Sequence, residues 1–153
     1  MTLDYTKDIA IIAGGIVALT TFFTGVVEYA RQSNLRRVEY FIQMRRRFLE
    51  TPSFQEILRL ITTDDVGLRN VPIQDRRNFG GFLEEVALMM NSKLITKRVA
   101  RYMFGHYVIL TADSEHFWQG LDREGDYWQL LNWFADELRK MKSVRIEPMK
   151  LRI

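Results

Sequence analysis

Ile9–Val27, IAIIAGGIVALTTFFTGVV, holds nineteen residues without a charge, and its reading decides what kind of molecule this chain makes. As an α-helix rising 1.5 Å per residue it spans roughly 28 Å, close to the hydrocarbon thickness of a bilayer. A helix buried in a protein core normally keeps a polar face, whereas the only polar side chains here are threonines. A cleaved signal wants a positive leader and a shorter apolar core, yet Met1–Asp8 sets Lys7 against Asp4 and Asp8. The stretch therefore predicts a single N-terminal transmembrane helix over residues 9–27, preceded by a short extracytoplasmic N-terminus, residues 1–8.

Flanking charge sets the orientation. Lys7 alone precedes the span, while Arg31, Arg36 and Arg37 follow it, so the N-terminus is expected outside and the rest on the cytoplasmic side of an inner membrane. Within the span, Ala10, Gly14, Ala18, Thr21 and Gly25 fall on one face at spacings of four, four, three and four. Small residues let a second helix approach closely, and the hydroxyls of Thr20, Thr21 and Thr24 can bond across an interface or meet water in a narrow pore. A homo-oligomer packed through this face is one expectation. A plain lipid-facing anchor is the alternative, since Gly, Ala and Thr are common in membrane helices.

The remaining chain has the composition of a folding protein: of 153 residues, 47% are hydrophobic and 27% charged, enough for one modest core. It has no cysteine, which excludes disulfides and thiolate chemistry. No Pro/Gly/Ser linker follows the span, so helix is expected to continue through Glu28 to about Glu50, joining the two parts as a continuous rod. Leu35, Val38, Phe41, Ile42, Phe48 and Leu49 share one face of it. Arg45 projects from that apolar face and must reach water or a carboxylate, Glu84 or Glu85 being the expected partners.

Thr51 and Pro52 read as N-cap and first residue of a second helix that buries Phe54, Ile57, Leu58 and Ile61. Residues 62–72 read as a loop. A third helix, Ile73 to Asn91, buries Phe79, Phe82, Leu83, Val86 and Met90; its internal Gly80-Gly81 costs about 1 kcal/mol per glycine, which predicts a close neighbour there. A fourth, Thr96 to about Thr111, sets Val99, Tyr102, Met103, Tyr107 and Val108 against Lys97, Arg98 and Arg101. Asp126 is read as the cap of a last helix to about Met141, striped by Tyr127, Leu130, Leu131, Phe134 and Leu138. Residues 142–153 form a basic tail. With no convincing strand alternation, the expectation is an all-α fold, the membrane helix continuing into a cytoplasmic bundle, residues 28–141, with about five helices in all.

The runs Phe82-Leu83-Glu84-Glu85-Val86-Ala87-Leu88, Leu94-Ile95 and Tyr102-Met103-Phe104-Gly105-His106-Tyr107-Val108-Ile109 carry a resemblance. In this order, behind a basic helix at Arg36–Glu50, they resemble a family of small bacterial proteins of unknown function with one N-terminal membrane helix and a helical cytoplasmic domain. The chain departs from that pattern at Gly80-Gly81, where larger residues are expected. A looser resemblance, in architecture alone, is to membrane effectors of bacterial anti-phage defence of the Hailong type. It implies an oligomer, a nucleotide or oligonucleotide ligand, and a gated pore.

Catalytic motifs are lacking: no phosphate-binding Gly-rich loop, no HExxH, no Gly-x-Ser-x-Gly, so no enzyme, cofactor or metal is expected. Asp113, Glu115 and His116 read as a solvated loop rather than metal ligands, and His106 as a hydrogen-bonded core histidine. The basic residues offer the better lead. Arg36, Arg37, Arg45, Arg46 and Arg47, with Lys97, Arg98 and Arg101, are candidates for anionic lipid head groups or, gathered in an oligomer, for a nucleotide or single-stranded nucleic acid. Tyr102, Trp118, Tyr127 and Trp128 are the aromatics available to stack a base, against the commoner core role. Two functions follow: an oligomeric, pore-forming membrane effector gated by an anionic ligand, or a membrane-tethered helical interaction module without channel activity.

Overall fold

The structure, a computed structural model, describes the backbone of residues 2–141 and the side chains from Ala13 onward, Asn34 excepted. The basic tail, residues 142–153, and the Ala10 side chain lie outside the described residues. Those described form an all-helical protein without strands. The helices are α1 (Thr2–Glu50), α2 (Pro52–Ile61), α3 (Ile73–Asn91), α4 (Lys97–Asp113), α5 (Glu115–Trp118) and α6 (Gln129–Lys140), with 3₁₀ turns at Val66–Asn70 and Asp126–Trp128. Contacts divide the chain into two units, Met1–Phe41 and Ile42–Ile153.

In the first unit nothing breaks the helix, which already starts at Thr2. Every side chain from Ala13 to Gln32 is exposed, including Ile16, Val17, Leu19, Phe22, Phe23, Val26 and Val27. Among the described residues this is the one helix long and apolar enough to cross a membrane.

In the second unit α3, α4 and α6 pack on one another, and α2 lies against α3 and α4. Phenylalanine fills the centre. Phe48 stacks on Phe82 with ring centroids 5.3 Å apart and meets Phe104 edge-on at 5.2 Å, while Phe54 meets Phe79 edge-on at 5.2 Å. Such pairs contribute about 0.5–1.5 kcal/mol beyond the area they bury. The α3 stripe is as the periodicity predicts: Phe79, Phe82, Leu83, Val86 and Met90 are all buried.

Gly80 has a specific reason to be glycine. A Cβ there would stand 2.7 Å from Cζ3 of Trp128, so the close neighbour expected at Gly80-Gly81 is an indole ring rather than a helix backbone. Gly81 faces open space.

Several expectations are corrected. On α1 the buried arc is Phe41, Met44 and Phe48, spaced i, i+3, i+7; Leu35, Val38, Ile42 and Leu49 stay exposed, because that arc is narrower than the apolar pattern. Thr51 sits at the N-cap position, but its hydroxyl donates back to the Arg47 carbonyl at 2.7 Å and caps nothing. Residues 62–72 are not all loop: Asp65 accepts from the Gly67 amide at 2.7 Å and opens a 3₁₀ turn that buries Leu68. On α4, Phe104, Gly105 and Val108 face inward, leaving Tyr102 exposed and Met103 and Tyr107 half-buried. His106 is therefore exposed, its ring edge-on to Tyr107, and not a core histidine.

The polar stretch before α6 also holds more than expected. α5 buries Phe117 and Trp118, and Ser114 caps it by accepting from the Phe117 amide at 2.9 Å. Arg76, 2% exposed, anchors this region without any carboxylate. Its guanidinium donates to the carbonyls of Val71 at 3.1 Å, Phe117 at 2.6 Å and Gln119 at 2.8 Å, and burial holds its pKa below the usual arginine value. Before α6, the 3₁₀ turn Asp126–Trp128 winds more tightly than an α-helix and shifts the phase. Trp128 turns inward and Tyr127 outward, so Tyr127 leaves the expected stripe, and Asp126 accepts from the Gln129 side chain instead of capping.

Candidate functional site

The expected arginine set does not converge on one place. Arg36 and Arg37 are exposed on the first unit. In the second unit, Arg47 lies over the Phe82 ring at 5.4 Å and pairs with Glu85 at 3.0 Å; Arg46 stands 3.8 Å from Glu50. The expected pairing of Arg45 with Glu84 or Glu85 is not formed. Arg45 is exposed, its Nη1 is 2.8 Å from Met103 Sδ, and Glu85 is taken by Arg47. On α4, Lys97 pairs with Glu137 at 2.8 Å, Arg98 is exposed, and Arg101 is half-buried. Arg46 and Arg47 do share a shallow cleft with Gln43, Glu50, Thr51 and Pro52. Among the described residues no acidic or histidine cluster could hold a metal ion. Asp113 pairs instead with Arg139, and His116 Nδ1 accepts from Arg69.

From Gly14 to Gly25 the small-residue face is open. Gly14 and Gly25 have nothing near the place a Cβ would take, and Ala18, Thr20, Thr21 and Thr24 are exposed. Each threonine hydroxyl donates within its own helix: Thr20 to the Ile16 carbonyl at 2.8 Å, Thr21 to Val17 at 2.9 Å, and Thr24 to Thr20 at 3.0 Å. That back-bonding satisfies the hydroxyl hydrogens without a second chain.

Sequence reasoning missed a second feature, at the outer face of α3. Arg77, Asn78 and Tyr127 line two adjoining clefts of about 430 and 500 Å³, within the size range of small-molecule sites. The first is completed by Arg47, Gly81, Glu84, Glu85, Leu88 and Leu130, and the second by Gln74, Leu121, Asp122, Gly125, Asp126 and Trp128. Gly81, lacking a side chain, leaves the first cleft open. Tyr127 is 69% exposed, its ring edge-on to Trp128 at 4.7 Å. Trp128 in turn occupies the space at Gly80, so a glycine on α3 admits the indole that the tyrosine ring meets.

Two carboxylates show how charge is managed around α6. Glu84 accepts from the Leu131 amide at 3.2 Å, capping the N-terminus of α6 from another helix, and burial pushes its pKa up despite that bond. Glu137 is held down to about 2, first by its hydrogen bonds from Lys97 and Lys140. No family model, curated protein or solved structure matches this chain, so its own geometry carries the functional argument.

Proposed function

We propose that the chain is a single-pass protein of the inner membrane, N-terminus outside, that self-associates through Ala10, Gly14, Ala18, Thr21 and Gly25 and works as a gated effector responding to an anionic ligand. One observation supports it most: an uncharged helix from Ala13 to Val27 with every side chain exposed. Each large aliphatic or aromatic side chain left in water forgoes about 1.5–3 kcal/mol. Seven of them, Ile16, Val17, Leu19, Phe22, Phe23, Val26 and Val27, together forgo about 10–20 kcal/mol, as much as a domain's whole stability. Lipid removes that cost. Arg36, Arg37 and Arg98, exposed and outside every ion pair among the described residues, remain available to anionic head groups or a phosphate ligand.

The effector reading is tested by inducing the full chain and following membrane potential, with and without candidate nucleotides and oligonucleotides. Depolarisation that tracks the ligand is expected. An unchanged potential under all conditions, or a monomer by mass in detergent, removes the pore.

A second reading is a membrane-tethered interaction module, and the back-bonded threonines favour it. With their hydroxyls satisfied within the helix, the span needs neither a partner nor water. In that case a fragment beginning near Arg31 retains a cytoplasmic partner in pulldown, and loss of every partner on removing the span counts against it.

A further inference from the structure

Most cations of the bundle are matched by nearby acceptors: Arg47 by Glu85, Arg59 by Glu56, Lys97 and Lys140 by Glu137, Arg139 by Asp113 and Asp136, and buried Arg76 by three carbonyls. The larger cleft beside Tyr127 differs. Arg77, Asp122 and Asp126 all line it, yet no ion pair among the described residues joins Arg77 to either carboxylate. Asp126 accepts one side-chain hydrogen bond, from Gln129 at 2.7 Å, and Asp122 accepts none from a side chain among the described residues. Opposite charges thus share a cleft of about 500 Å³ and leave a gap between them. The Asn78 carbonyl oxygen is taken by Gln74 at 2.9 Å, which leaves the Asn78 amide free to donate. Tyr127 offers an exposed aromatic ring beside them.

We infer that this cleft binds an amino-acid zwitterion with an aromatic side chain. Its carboxylate fits Arg77 and Asn78, its ammonium fits Asp122 and Asp126, and its ring lies against Tyr127 and Leu121. Charge decides the class. One guanidinium and two carboxylates sum to −1, so a phosphate dianion meets net repulsion, whereas a zwitterion offers a complement to each sign. Planar ring contacts and a bidentate guanidinium–carboxylate pair supply orientation. This inference is independent of the gated-effector reading, because it concerns a cleft lined by none of the arginines assigned there.

Calorimetric titration of the full chain in detergent, with L-phenylalanine as probe, tests it. Binding in the millimolar range or tighter is expected, weakened at least about fivefold by Arg77→Ala or by Asp122→Asn, as the loss of one exposed ion pair predicts at its upper end. Lys93→Gln, exposed and lining neither cleft, keeps wild-type affinity. Analogues on the wild-type chain separate the sources without any mutation: phenylacetate lacks the ammonium and phenethylamine lacks the carboxylate, and each is expected at least about fivefold weaker than L-phenylalanine. The inference is overturned if adenosine monophosphate or phenylacetate binds as tightly as L-phenylalanine, marking a plain anion site. Equal binding of phenethylamine, or no heat with L-phenylalanine up to about 10 mM, overturns it as well.

Discussion

Two helices of similar apolar content behave in opposite ways. In α1, Ala13–Val27 has no charge and no buried side chain; in α3, Ile73–Asn91 carries five charged residues and buries a full stripe. Apolar content alone therefore does not make a core. What makes one in α3 is its arrangement: Phe79, Phe82, Leu83, Val86 and Met90 recur at helical spacing, so they face the same neighbours, while Arg77 lines the outer clefts and Glu84 reaches along the edge of the stripe to cap α6. The α1 stretch is apolar on every side and so has no preferred protein neighbour, which is the property a lipid-facing helix needs.

Removing the same ring from each helix draws the sharpest contrast. Phe82→Ala, at the centre of the aromatic cluster, is expected to cost about 3–5 kcal/mol in chemical unfolding of the bundle. Phe22→Ala should leave the same transition within about 0.5 kcal/mol, since Phe22 is exposed. Equal effects would break the comparison. A charge tests the α1 side directly: Leu19→Arg places a guanidinium mid-span, at a cost of about 2.5–3.5 kcal/mol on insertion scales. The variant should shift from the carbonate-resistant membrane fraction towards the soluble one, and an unchanged distribution would count against the membrane reading.

The paired glycines of α3 form a smaller internal control. Gly80→Ala forces a methyl group against the Trp128 ring and should lower stability by about 1–3 kcal/mol, with a change in tryptophan fluorescence. Gly81→Ala meets open space and should be neutral or raise stability by up to about 1 kcal/mol, through helix propensity. If both behave alike, the indole does not sit where it is described.

The weakest effects depend on pH. Glu84 has its pKa raised by burial, so its favourable share is present below the ordinary carboxylate range and is lost as pH climbs through its folded value. Glu84→Gln keeps an acceptor for the Leu131 amide without a buried charge. It should gain on the wild type in thermal unfolding as pH rises from 4 towards about 7. Glu137 runs the other way: its depressed value, about 2, gives stability that is full above the usual glutamate range and lost as pH falls towards that value. The deficit of Glu137→Gln should shrink over that acidic window and vanish at its lower end.

Legibility followed the range of the interactions involved. The unbroken run of α1 to Glu50, the α3 stripe and the Pro52 start of α2 rest on neighbours within a turn or two, and these are as read from the residues, although α1 starts at Thr2 rather than Ile9. The exchange of Tyr127 for Trp128 was not legible, because a three-residue 3₁₀ turn resets the helical phase without leaving a mark in composition. Arg76 looks like any polar-face arginine until the carbonyls of Phe117 and Gln119, some forty residues on, join that of nearby Val71 around it. Arg45 likewise reads as a buried charge only while the buried arc of α1 is taken to be as broad as its apolar pattern.

By itself, then, the sequence determined that this protein is all-helical, and that its first helix carries a charge-free run long enough to cross a bilayer. Both follow from periodicity and composition, which act locally. Only the tertiary structure decided which arginines are matched, that Glu84 caps α6, and that Arg77, Asp122, Asp126 and Tyr127 line one cleft. Those relations join residues far apart in the chain, and packing, not spacing, sets the distances between them.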